Sequence, residues 1–116
     1  EGVSGLIRKK DWDYIGGNDP RFAPAYWEDA DLFIRMANEG FKFVLTSNSV
    51  VYHFGSRASR FPDDNLNQRP AHLEDIEKRS LYRFLEKYGR IPSRDENDFY
   101  IPLPIIDGSP NCISIQ

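Results

Sequence analysis

The chain has 116 residues, 40% hydrophobic and 14% aromatic, which fits one folded domain and excludes a disordered segment. A formal charge of −3 gives no electrostatic reason for nucleic acid as the main partner. A single cysteine, Cys112, excludes an internal disulfide and a cysteine-built zinc site.

No apolar run is long enough to span a bilayer and no leader is visible. The compartment is left unknown, with a cytoplasmic one as the default expectation. The chain opens on Glu1-Gly2 without an initiating Met, which reads as a fragment or a processed product.

VSGLI (3–7) reads as a short strand. RKKDWDYIGGNDPRFAP (8–24) reads as loop, because it holds two adjacent glycines, two prolines and several turn-forming polar residues. Gly16-Gly17 permits positive φ or close approach of the backbone to another group.

The spacing predicts a helix from about Trp27 to Glu39. Leu32, Phe33, Met36 and Ala37 share a face, and Asp31 and Arg35 stand at i, i+4 in the favourable order, read as a structural ion pair. Gly40 suits the position just past the helix end. FKFVLT (41–46) and VVYHF (50–54) read as strands, and the polar, proline-bearing 55–71 as a long loop.

A second helix is expected over about Ala71 to Tyr88. Its packing face carries Leu73, Ile76, Ser80, Leu81, Phe84, Leu85 and Tyr88, and Gly89 ends it. The tail from 91 to 116 is apolar but broken by four prolines, which reads as an extended arm lying on a surface, its own or a partner's.

Two places carry chemistry. Glu28 and Asp29 head the first predicted helix. Acids there meet the partial positive charge of a helix N-terminus, which needs no catalysis. Beside Trp27 they also fit a general base: an indole walls a site, stacks on a sugar ring and, by excluding water, raises a carboxylate toward a useful pKa. His53 ends a predicted strand and runs into a glycine and a polar loop, where α/β sheets present ligand-binding groups. A strand histidine is commonly a hydrogen-bonded structural residue; a neutral imidazole there can also hold a divalent metal.

Asp11-Trp12-Asp13 and Asp29-Ala30-Asp31 have the letters of a DxD metal motif. The first follows three basic residues instead of an apolar strand. The second lies on a predicted helix, where the two carboxylates diverge by about 200°.

The order of IGGNDPRF (15–22), WEDADLFIRMANEGFKF (27–43) and VVYHFGS (50–56) resembles the C-terminal half of family 2 glycosyltransferases. These are inverting enzymes of the GT-A fold that use nucleotide-sugars. The resemblance covers about half the chain and departs from the usual pattern at Asn18 and Pro20.

It implies Asp29 as catalytic base with Glu28 beside it, and Trp27 stacked on the acceptor. Gly16 and Gly17 would lie near donor or acceptor, Arg57 near the diphosphate, and His53 would ligate Mn²⁺ or Mg²⁺ in the complete enzyme. The partners implied are a nucleotide-sugar donor and a glycan or other hydroxyl acceptor.

The expected fold is α/β: a partial GT-A-like unit with two main helices and a small mixed sheet of short strands, completed by homo-oligomerisation. Residues 1–90 would be the acceptor-side portion and 91–116 the tail. The nucleotide-binding half with its DxD motif is not seen in the sequence, so the chain alone is expected to be inactive. The alternatives are a non-catalytic binding or interaction module, and a metal hydrolase using Asp11, Asp13 and His53.

Overall fold

The computed structural model describes residues 5–51 and 71–113. Three α-helices appear there: α1 (Lys9–Ile15), α2 (Glu28–Asn38) and α3 (Ala71–Tyr88), with a 3-10 turn at Pro20–Phe22.

The two long helices fall where the apolar spacing puts them. α2 begins after Trp27 and ends at Asn38, and Gly40 takes φ +89° just beyond. α3 runs to Tyr88, and Gly89 follows at φ +80°. Helix α1 replaces an expected loop. Lys9 and Asp13 bridge its turns at 2.9 Å, and the left-handed Gly16 returns its amide to the Trp12 carbonyl.

The expected mixed sheet is overturned. Among the described residues there is no strand, only an isolated antiparallel bridge between Arg94 and Tyr100. Residues 41–46 and 50–51 carry strand-like composition, yet no backbone–backbone hydrogen bond joins residues 42–51 to other described residues. Strand propensity is the fit of side chains to a pleated, half-buried surface, and without a neighbour to pair with it leaves only irregular chain. Residues 5–7 form no strand either. Residues 3–4 and 52–54, and with them most of the second predicted strand, lie outside the described residues. Among the described residues there is thus no sheet edge for a second copy to complete.

The core is helical. Ala30 and Ile34 of α2 meet Phe84 and Tyr88 of α3, Phe22 of the 3-10 turn and Leu103 of the C-terminal segment. On its other side α2 packs Leu32 and Met36 against Ile15, with Trp12, Phe41, Phe43 and Cys112 around them. α2 is therefore covered on two faces, which a single amphipathic stripe does not describe.

The C-terminal segment lies across the chain's own helices. Asn38 donates to the Leu103 carbonyl, the Ile106 amide to Lys87 and the Ile113 amide to Ile15. Ser80, on the predicted face of α3, is sealed and donates to the Ala25 carbonyl at 2.8 Å. No described helix is long and apolar enough to cross a membrane.

Candidate functional site

The head of α2 is held by an unusual backbone. Tyr26 and Trp27 both take positive φ, 73° and 67°. Neither is a residue that favours this region, and two in succession turn the chain sharply into the helix. Trp27 has no side-chain cap, but its carbonyl accepts the Asp31 amide and starts the helical ladder. Its ring rests on Phe84 at 4.8 Å between centroids. Beside it, Glu74, Glu77, Lys78 and Leu81 of α3 line a shallow hollow of about 270 Å³ with the indole.

The two acids differ in environment. Asp29 Oδ1 accepts the amide of Ala30 at 2.8 Å, the local bond expected at a helix start. Glu28 is half-buried, and its Oε2 is the buried side-chain polar atom without a hydrogen-bond partner among the described residues. Burial pushes the Glu28 carboxyl above its ordinary value, the Asp29 charge adds to the push, and its own backbone amide opposes it. An orphan buried carboxylate oxygen costs about 1–3 kcal/mol or more, so it calls for an explanation.

Beneath these acids lies a sealed network of charge. Asp31 and Arg35 are both fully buried, with Arg35 Nε donating to Asp31 Oδ2 at 2.8 Å. Asp31 Oδ1 receives the Tyr88 hydroxyl at 2.6 Å and the ammonium of buried Lys87 at 2.7 Å. Lys87 also reaches Asp19 Oδ2 at 2.9 Å. Two cations face two anions, so the buried charges cancel, as they must where desolvation is costly. Burial and the Asp31 charge push the Tyr88 hydroxyl far up. Burial alone would raise Asp19, but the Arg21 amide and the Lys87 ammonium outweigh it and hold the carboxyl below its ordinary value.

The remaining donors of Arg35 bind backbone. Nη1 reaches the carbonyls of Ile15 at 3.1 Å and Asn111 at 3.2 Å, and Nη2 reaches Gly17 at 2.5 Å. The planar fork thus fixes the Gly16-Gly17 corner and the C-terminal segment to α2. Both glycines take positive φ, and their close approach is to the chain itself. A Cβ on Gly16 would run into the Ile113 backbone, and one on Gly17 would meet the Trp12 ring at 2.9 Å.

The sequence-predicted residues therefore divide. Trp27, Glu28 and Asp29 stand together at the head of α2. Gly16 and Gly17 belong to a corner tied to the same helix through Arg35. His53 and Arg57 lie outside the described residues. Asp13 points to Lys9, and Asp11 sits two residues away on the same helix, about 200° round, so the pair does not converge. Asp31 of the second DxD-like triplet is occupied by Arg35, Lys87 and Tyr88.

Among the described residues no three His, Cys, Asp or Glu side chains gather as a metal site. Sequence reasoning missed Asp19 and Lys87 as members of the buried network. Neither has a local signal, since they are 68 residues apart and meet only in the fold. Compared with protein-family models, curated proteins and solved structures, the chain matches none.

Proposed function

We propose that the chain is the acceptor-side part of an inverting glycosyltransferase that uses a nucleotide-sugar, with the paired carboxylates at the head of α2 as its base. Transfer in this reading requires a nucleotide-binding half joined to the chain. Support comes from the motif order WEDADLFIRMANEG and, above all, from one observation: Glu28 Oε2 is buried without a partner among the described residues while the carboxyl is pushed up by burial.

A carboxylate in that state is a stronger base than one in water, and a hydroxyl placed against it would supply the missing donor. Asp29 is the residue the family resemblance names. Its Oδ1 is taken by the Ala30 amide, whereas Glu28 keeps one enclosed oxygen with no partner among the described residues, so Glu28 is the better-poised member of the pair.

The proposed step is a single displacement. The base takes the proton of the acceptor hydroxyl as that oxygen attacks the anomeric carbon from the face opposite the nucleotide. The bond from carbon to the diphosphate oxygen breaks, and the nucleoside diphosphate leaves with the electron pair. Trp27 walls the acceptor side, where an indole face suits a sugar ring. Mn²⁺ or Mg²⁺ under the diphosphate belongs in this reading to the complete enzyme, with His53 as this chain's contribution.

A non-catalytic interaction module is the second reading. The Asp29–Ala30 contact favours it, because a carboxylate that takes a first-turn amide of the helix needs no catalytic role. The two readings separate in an assay of nucleoside diphosphate release by the chain joined to its nucleotide-binding half. Glu28→Gln and Asp29→Asn are compared there with the parent. A loss of about 10²–10⁴-fold in kcat with an unshifted or raised melting temperature supports the enzyme. Rates within a few-fold of the parent for both variants overturn it.

A further inference from the structure

We draw no further inference here: the strongest candidate, the exposed apolar segment at residues 41–51 with Val44, Leu45 and Val50 turned to solvent and no backbone pairing of 42–51 to other described residues, carries nothing because nothing in the structure shows what covers it.

Discussion

Arg35 and Asp31, one turn apart on α2, form an ion pair at 2.8 Å with neither side chain exposed to solvent. A pair at this spacing on a helix surface contributes only about 0.3–0.5 kcal/mol. Here the pair is the centre of the molecule, because Arg35 also holds three backbone carbonyls and Asp31 also holds Lys87 and Tyr88.

Removing Arg35 should therefore be severe. Arg35→Met leaves the Gly17, Ile15 and Asn111 carbonyls without this donor and an excess negative charge in the interior. The expected cost is roughly 3–5 kcal/mol, read from urea denaturation. Arg35→Lys should recover little of it, since an ammonium cannot span the carboxylate and three carbonyls as the planar fork does. Near-wild-type stability of the lysine variant would show that geometry at this position is unimportant.

Gly16→Ala tests the closure of the C-terminal segment. The new methyl meets the Ile113 backbone, and φ of +88° is unfavourable for alanine. Protection of the Ile113 amide from hydrogen exchange, given by its 2.9 Å bond to Ile15, should fall markedly. Gly40→Ala is the control. It has a similar φ of +89° but open space around the added carbon, so it should leave Ile113 protected.

Glu28 predicts a trade between stability and activity. Its folded-state pKa is raised, so the ionised form is the disfavoured one. Below the ordinary carboxyl value both folded and unfolded states are protonated and no penalty applies. As pH rises through the raised value the stability is lost. Glu28→Gln should therefore raise the melting temperature at about pH 7 and give no gain near pH 4, and on the proposed reading it should slow transfer by the joined enzyme about 10²–10⁴-fold. A melting temperature lowered at neutral pH would mean that the carboxylate has a partner in the folded state.

Asp19 has the opposite sign. Its pKa is held below the ordinary 3.8, so its contribution is present above that value and disappears as pH falls through the folded value. Asp107, which Arg21 meets at 2.6 Å, is lowered too: burial works against it, but the Ser109 hydroxyl and Arg21 prevail. Melting followed from about pH 6 to pH 2 should fall mainly below about pH 4. Asp19→Asn should start lower at the upper end of that range and show a shallower decline.

Local information made the long helices legible. The 3.6-residue pattern from Leu32 to Ala37 and from Leu73 to Tyr88, with Gly40 and Gly89 as stops, is carried by near neighbours. The reading of Asp31 and Arg35 as a structural pair was legible for the same reason, though not their depth.

What was not legible depends on distant residues. Residues 41–46 have strand composition, but pairing needs a partner, and no described segment supplies one. Helix α1 was hidden because Gly16-Gly17 and Asp19-Pro20 mark turns that lie after it. Lys87 carries no local sign of burial; only Asp19 and Asp31 arriving from elsewhere make it tolerable. At the head of α2, the sequence reading named both acids but could not show that Glu28 Oε2 is enclosed without a partner among the described residues while Asp29 Oδ1 takes the Ala30 amide.

The Arg35 guanidinium binds a carbonyl 76 positions further along, at Asn111. During synthesis at ~5–20 residues per second, α2 leaves the ribosome seconds before that carbonyl exists. Until then Arg35 has only Asp31 and the Ile15 and Gly17 carbonyls as acceptors. The guanidinium's set of acceptors is complete only once the last residues are made, and a product cut short before Asn111 would lack that carbonyl and the Ile113 amide that closes on Ile15.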